Sequence, residues 1–300
     1  MDKLLAITLT ILTSIIGFLS GVTGAGAHGS SVSISSEDGA GAKGCEDLKI
    51  SFDGAPGVRA AQTITIPLSE APELSVKMPS GSGIYVTGSD RGDYMVTVCK
   101  AADDRSHLDG VSVSREGGRI SVDGPNGGDW VVYLLVQAPW DAALDVASAN
   151  GPIDLRDLRG GIRARTQNGP LSLANCSGTV VASTRNGPIA FSGAGSNVDL
   201  SAQNGPLSVK LEGKSWSGGS LTARTQNGPL SLDLSSGFSS GVEVEASGHS
   251  PFSCHASACD DAEKSWNEDG LRVHFGGRET AVHLSTVNGP VSVGSGGDEI

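Results

Sequence analysis

The sequence is short of charged, aromatic and basic residues, and each shortage argues against a class of protein. Charged residues make up 18% and aromatic residues 4% of the 300 residues. Helical bundles and coiled coils carry far more Glu, Lys and Leu, so the composition excludes them. With 21 Lys and Arg against 33 Asp and Glu, the net charge is −12, and we expect no nucleic-acid partner. Glycine is abundant instead, with 43 residues.

The longest apolar run lies at the N-terminus and is typical of an export signal. An apolar stretch from Leu4 to Val22 is followed by Ala25-Gly26-Ala27, so we predict a signal peptide over residues 1–27 with cleavage before His28. The alternative is an uncleaved anchor, because 19 apolar residues are just long enough to cross a bilayer. With cleavage, we expect no stable membrane span and a periplasmic, secreted or cell-surface protein.

An internal repeat dominates the second half of the chain. The tripeptide Asn-Gly-Pro recurs at intervals of 18, 18, 18, 23 and 61 residues. Each copy is preceded by an alternating apolar run and followed by two apolar residues separated by one, and this period predicts strands with one buried face. Asn and Gly tolerate a positive φ and favour a sharp corner, and Pro suits the first residue of a strand. The turn asparagines are Asn150, Asn168, Asn186, Asn204, Asn227 and Asn288.

Two short strands in 18 residues are too few for a domain, but they suit one coil of a solenoid. The fold class is therefore predicted to be all-β, a single-chain β-solenoid of the parallel β-helix or β-roll kind with coils of about 18 residues. The regular repeat occupies residues 141–293. Loop insertions at 213–220 and 249–268 account for the longer intervals, and Trp216 is expected at the tip of the first insertion.

The interval of 61 residues hides a degenerate coil in this interpretation. VEVEAS at 242–247 matches the strand that precedes each turn, with Gly248 in the place of Asn. We therefore expect this strand beside 221–226, which places Arg224 and Glu245 in adjacent coils.

Residues 46–140 are strand-rich but lack the spacing of 18 residues. They predict an irregular N-terminal half of the solenoid that caps the stack, since an open end exposes unpaired backbone groups. Trp130–Val136 is the most apolar segment and predicts a buried strand. The segments 28–45 and 294–300 are expected to be flexible.

These features resemble a known family. The export signal, the β-rich N-terminal half, coils of the form NG(P/D)-[ILV]-x-[LVF] and the closing segment HFGGRETAVHLSTVNGPVSV are similar to the bacterial putative-adhesin family of unknown function. That family is similar to auto-transporter adhesin head (GIN) domains, and the resemblance covers residues 46–293. It implies a β-solenoid with an adhesin-like role, and it supplies no catalytic residues.

Five cysteines in an exported protein predict disulfides and one free thiol. Cys176 takes the position of Leu158 in the preceding coil and is expected to be a buried, inert core residue. Three pairings of the others are possible; we favour Cys254–Cys259, within the long loop, and Cys45–Cys99, in the N-terminal half. The alternative is a metal site, although the spacing fits no established zinc pattern, so we expect no metal and no cofactor. Its candidate ligands are His249, Cys254, His255, Cys259, Asp260 and Asp261.

The outward columns of the predicted coils are polar, and arginine is frequent in the early coils. They form either a solvated surface with cross-strand ion pairs or a groove for an extended anionic or neutral glycan. The candidate binding residues are Arg163, Arg165, Arg185 and Arg224.

Two hypotheses about function follow. The first is an exported, non-enzymatic scaffold for adhesion or envelope interaction, with a glycan or a surface protein as the possible partner. The second is a polysaccharide-binding or polysaccharide-degrading β-helix protein, for which Asp199 and Glu243 share a column two coils apart. The G-x-S-x-G sequence at Gly237–Gly241 lacks the strand–turn–helix context of a hydrolase, so we expect no catalytic site.

Overall fold

The structure is a computed structural model that describes residues 30–34, 42, 44–247, 250–268 and 270–295. The predicted signal peptide, most of the segment 28–45 and the end of the predicted tail lie outside the described residues, as do Gly248 and His249. In the part of the chain that the structure describes, no helix has the length and apolar character needed to span a membrane.

The described residues are nearly all β. They include one short α-helix, α1 (Arg105–Gly110), and two 3-10 helices, Cys45–Asp47 and Ser257–Cys259. The strands are β1 (Ser30–Ile34), β2 (Leu48–Phe52), β3 (Ala55–Pro56), β4 (Val58–Pro67), β5 (Glu73–Met78), β6 (Gly83–Ser89), β7 (Asp93–Ala102), β8 (Ser112–Glu116), β9 (Arg119–Asp123), β10 (Trp130–Pro139), β11 (Ala143–Ser148), β12 (Ile153–Arg156), β13 (Ile162–Asn168), β14 (Leu171–Ala174), β15 (Thr179–Asn186), β16 (Ile189–Gly193), β17 (Asn197–Asn204), β18 (Leu207–Leu211), β19 (Leu221–Asn227), β20 (Leu230–Leu234), β21 (Gly241–Ser247), β22 (Phe252–Cys254), β23 (Glu263–Asn267), β24 (Gly270–Phe275), β25 (Thr280–Asn288) and β26 (Val291–Ser295).

Two large sheets contain most of these strands. The eleven-stranded sheet has the order β22-β26-β20-β18-β16-β14-β12-β6-β10-β7-β4, and the twelve-stranded sheet has the order β23-β24-β21-β25-β19-β17-β15-β13-β11-β5-β9-β8. From β11 to β20 the chain alternates between the two sheets, and each strand pairs in parallel with the strand of the next repeat. Leu173 therefore lies beside Phe191, as the repeat predicts.

The main core lies on the facing sides of the two sheets. Alternate residues of each strand point inward, so the apolar positions on both sides of each turn are buried, for example Val180, Leu200 and Leu232. These are the positions that the period of two residues predicts. A second, smaller core lies on the outer side of the eleven-stranded sheet, where Leu48 and Phe52 of the small β1–β3 sheet cover Tyr85 and Tyr133.

The N-terminal half continues both sheets. β5 pairs in parallel with β11, and β6 pairs in parallel with β12 and with β10. The direction changes only at the end of the eleven-stranded sheet, where β10, β7 and β4 pair antiparallel. Val131–Val136 is buried, as predicted.

The predicted place of the segment 242–247 is wrong. β25 and β26 lie directly beside β19 and β20, so Leu221 neighbours Val282 and Leu230 neighbours Val291. β21, which contains residues 242–247, pairs with the far side of β25. The physical reason is the turn: the segment that ends in Asn288-Gly289-Pro290 repeats the turn of the 221–234 repeat, whereas β21 is followed by glycine instead of asparagine.

Trp216 is also placed differently from the prediction. Its indole is buried, with 6% of the residue exposed. The ring packs against Phe191, with 6.2 Å between the ring centroids, and Nε1 donates a hydrogen bond to the carbonyl oxygen of Ser196 at 3.1 Å. The insertion folds back because the large apolar ring gains from burial and its one donor finds a partner.

Candidate functional site

The outer face of the twelve-stranded sheet carries three of the four predicted arginines on two neighbouring strands. We call this region the β13–β15 patch and define it by Arg163, Arg165, Gln167, Ser183 and Arg185. In-register pairing places Arg163 beside Val181 and Arg165 beside Ser183. All three arginine side chains are exposed, so the patch is open to solvent.

Ion pairs divide the four arginines into two groups. Arg165 donates a hydrogen bond to Asp145 at 2.7 Å, and Arg224 donates to both oxygens of Asp199 at 2.9 Å. None of the described residues forms a hydrogen bond or ion pair with Arg163 or Arg185. Two guanidinium groups of the patch are therefore available to a ligand, whereas Arg224 belongs to a local pair two strands away.

A ladder of asparagine side chains borders this face. Each turn asparagine donates its side-chain N–H to the side-chain oxygen of the asparagine before it, at no more than 2.9 Å, and Asn150 donates to Ser80. Asn288 donates to Asn227 although 61 residues separate them. The ladder thus joins all six repeats at one corner, and it explains why asparagine recurs at the turn.

The turn glycines are required for a reason that differs from the predicted one. The structure describes all six turn asparagines, and none has a positive φ. Each turn glycine from Gly169 onward instead lies against the backbone carbonyl of the turn glycine in the neighbouring repeat, where an added Cβ would overlap the oxygen. Close stacking of the corners therefore excludes any side chain at this position.

The two carboxylates considered for hydrolysis do not form a pair. Along their column, Asp199 neighbours Thr222, which neighbours His283, which neighbours Glu243. Three strand steps separate the carboxylates by about 14 Å at the usual spacing, not the two coils expected. A glycosidase pair is about 5–10 Å apart. Glu243 also lies 3.3 Å from Arg272, and this arginine pairs with Glu245 as well, so Arg224 and Glu245 are not neighbours.

The cysteines form the two disulfides that the sequence favoured. Cys45 is joined to Cys99 and Cys254 to Cys259, which removes both thiolates from the metal site considered above. Cys176 is a buried free thiol, and burial raises its pKa to about 12. A thiol with that pKa is almost fully protonated at neutral pH and is a poor nucleophile or metal ligand.

Among the described residues, one cluster has the composition of a metal site: Asp103, Asp104 and His107. Asp104 caps α1, since its side chain accepts a hydrogen bond from the backbone N–H of His107 at 2.9 Å. His107 Nδ1 lies 2.6 Å from Asp103 Oδ1, and this hydrogen bond raises the pKa of His107. The cap and the His–Asp contact account for the arrangement without a metal.

Sequence reasoning missed one buried charged pair on the outer side of the eleven-stranded sheet. Asp154 is 2% exposed and accepts two hydrogen bonds from Arg156 at 2.9 Å. The neighbouring Tyr85 hydroxyl is buried, and among the described residues it has no hydrogen-bond partner; burial first, and then Tyr133 and Asp154, raise its pKa. The available signal was a carboxylate in a column where later repeats carry Ser172 and Ala190.

Together, the fold and these contacts describe a nearly all-β protein with two large, mostly parallel sheets and an exposed polar outer face. No protein-family model matches the chain, and no curated protein matches it.

Several solved structures are similar at low identity. A putative cell adhesion protein from Clostridium sporogenes ATCC 15579 is 7% identical over 80% of this chain and 100% of its own, with a TM-score of 0.33. A putative adhesin from Bacteroides fragilis NCTC 9343 is 11% identical over 79% and 97%, with a TM-score of 0.34. A putative lipid binding protein from Parabacteroides distasonis ATCC 8503 is 9% identical over 79% and 96%, with a TM-score of 0.31. Similarities this weak carry no argument about the chain.

Proposed function

We propose that this protein is an exported, non-enzymatic β-solenoid that acts as an adhesin-like scaffold and binds an extended anionic glycan on the β13–β15 patch. In this proposal residues 46–140 and 141–293 form one continuous winding after removal of residues 1–27. The alternation of the chain between two sheets supports the winding, because each repeat contributes one strand to each sheet and pairs in register with the next.

Two disulfides support export. Disulfides persist in oxidising compartments and are rare in the cytosol. Cys45–Cys99 joins residues 54 positions apart and attaches the N-terminal segment to β7, whereas Cys254–Cys259 closes a short loop beside β22. Both places fit a protein that works outside the cytoplasm, in the periplasm or at the cell surface.

The observation that carries the ligand proposal is the pair of arginines without protein partners. Arg163 and Arg185 lie on adjacent strands and four residues apart in register, which separates their Cα atoms by about 14 Å. Guanidinium groups bind carboxylates and other oxyanions through planar, charge-assisted hydrogen bonds. In a chain with a net charge of −12, these two groups mark a local site for an anion.

The groups between the two arginines suit the neutral part of a glycan. Gln167 and Ser183 lie on the same outer face, and Asn168 and Asn186 border it at the corner. Amide and hydroxyl side chains both donate and accept hydrogen bonds, as sugar hydroxyls do. A chain of sugars with acidic groups can therefore place a negative charge at each arginine and hydroxyls between them.

Loss of both arginines is expected to weaken glycan binding by at least tenfold. A hydrogen bond to a charged group contributes about 1.5–3 kcal/mol, and 1.4 kcal/mol corresponds to a tenfold change in affinity. The measurement compares the exported chain with the Arg163→Ala/Arg185→Ala variant on an array of acidic and neutral glycans, followed by titration of the best ligand. The acidic ligands are expected to lose binding most.

The matched control is Arg278→Ala, which removes an exposed arginine from the loop between β24 and β25 and is expected to leave binding unchanged. Equal binding by the wild type and the double variant would contradict the proposed site. Release of reducing or unsaturated sugar products by the wild type would contradict the non-enzymatic part of the proposal.

A further inference from the structure

Four strands end the two large sheets, and one of them differs from the rest. The edges are β22 and β4 in the eleven-stranded sheet and β23 and β8 in the twelve-stranded sheet. Natural proteins protect sheet edges with short strands and charged residues. β22 has three residues, β23 carries Glu263 and Lys264, and β8 carries Arg115 and Glu116. β4 has ten residues and only one charge, Arg59.

One side of β4 is fully paired and the other side is open. β4 pairs antiparallel with β7 along its whole length, from Val58 beside Ala102 to Pro67 beside Asp93. Within the described ranges, no strand pairs with its opposite side, and residues 58–66 form no backbone hydrogen bond outside this ladder. An open row of backbone donors and acceptors is a template for another strand.

The single charge of β4 is turned away from this role. The Arg59 guanidinium donates hydrogen bonds to the carbonyl oxygens of Leu48 and Ile50, at 2.9 and 3.2 Å. Residues 60–66, with the sequence AAQTITI, are therefore a run of seven uncharged residues. Most of them are exposed, and they include β-branched residues without Pro or Gly, which is the composition of a pairing strand.

We propose that β4 pairs antiparallel with β4 of a second copy of this chain, which joins the eleven-stranded sheets of both copies across a twofold axis. A twofold axis places the same surface on both partners, and an antiparallel pair of identical strands satisfies this condition. Since β4 has no acidic residue, two chains with a net charge of −12 each meet at an edge free of negative charge. This inference goes beyond the proposed glycan binding and does not depend on it.

The residues of β4 are compatible with themselves in such a pair. Ile64 and Ile66 point to the core side of the sheet, because their neighbours Val96 and Tyr94 belong to the main core. Pairing centred on Gln62 places Ile64 opposite Ala60 of the second copy and Ile66 opposite its Val58, so apolar residues meet on the core side. Cross-strand apolar pairs of this kind stabilise sheets, and Arg59 faces a threonine, not a second arginine.

The test is the mass of the exported chain in solution, measured by light scattering after size-exclusion chromatography. The wild type is expected to have twice the mass of one chain. The Gln62→Lys/Thr63→Lys variant is expected to have the mass of one, because it places like charges across the axis, as edge lysines do in natural proteins. Both side chains are exposed, and an unchanged circular dichroism spectrum shows that the variant folds.

The control is Ser112→Lys/Ser114→Lys, which adds the same charges to exposed positions of the edge strand β8 and is expected to leave the dimer intact. Hydrogen exchange of the β4 amides is measured on the same samples. A wild type that is a single chain would overturn the proposal, and protected β4 amides in that chain would assign the edge to the chain's own N-terminal residues. A dimer that survives the β4 lysines would also overturn it.

Discussion

Replacement of Phe191 by alanine is expected to lower the free energy of unfolding by about 3–5 kcal/mol. The phenyl ring is 2% exposed and lies between Leu173 and Val209 in the eleven-stranded sheet. It also packs against Trp216, whose ring centroid is 6.2 Å away. The substitution therefore opens a cavity in the middle of the stack and removes the contact that holds the folded insertion. Denaturation in urea, followed by circular dichroism, measures the change.

The control for this prediction is Ser192→Ala. Ser192 is the next residue of the same strand and points to the outer side of the sheet, so its loss is expected to change stability by less than about 0.5 kcal/mol. A loss of under about 1 kcal/mol for Phe191→Ala would contradict the placement of this side chain between the sheets.

The Gly205→Ala variant is expected to lose about 3 kcal/mol, at the upper end of the usual cost of overpacking. A Cβ at this position would overlap the carbonyl oxygen of Gly187, which belongs to the backbone and cannot rotate away. The corners of two repeats must then separate, and the hydrogen bond between Asn204 and Asn186 is strained with them. Thermal unfolding and urea denaturation provide the comparison with the wild type.

Gly161→Ala is the matched control, because an added Cβ there meets no other atom within 4 Å. Its stability is expected to be unchanged or slightly higher, since alanine restricts the unfolded chain more than glycine does. If both alanine variants are equally stable, close stacking of the turn glycines is not what fixes the repeat.

Much of the fold is predictable because each repeat carries its own signals. Alternation of apolar and polar residues determines which side of each strand is buried, as Leu200 and Val209 illustrate. The recurring turn determines which strands share a register, so the pairing of Leu173 with Phe191 follows from the spacing alone. These features depend only on local period and on identical turns.

The order of the last strands could not be read from the sequence in the same way. The alternation of VEVEAS fits any neighbouring strand, and the sequence places it next in the chain. The structure places β25 there instead, because only Asn288 continues the asparagine ladder from Asn227. Trp216 escaped prediction for a related reason: a large apolar residue in a loop gives no sign of which cavity accepts it.

The candidate site was predicted as a surface but not in its pairing. The outward positions of the arginines follow from alternation, and their exposure agrees with it. Their partners depend on which strands are neighbours and on rotamers, which is why the pairs Arg165–Asp145 and Arg224–Asp199 became visible only in the structure. The distinction between these two arginines and the unpaired Arg163 and Arg185 is the basis of the binding proposal.

Disulfide trapping tests most directly whether the last repeat lies beside the 221–234 repeat. Arg224 and Ser285 are partners in register on adjacent strands, so Arg224→Cys/Ser285→Cys has the short Cα separation that a disulfide requires. Glu245 is the partner of Ser285 on its other side, which leaves Arg224 and Glu245 about 10 Å apart. Under mild oxidation, peptide mapping is expected to show the 224–285 bridge and no bridge in Arg224→Cys/Glu245→Cys. A bridge between 224 and 245, with none between 224 and 285, would contradict the strand order on which this account rests.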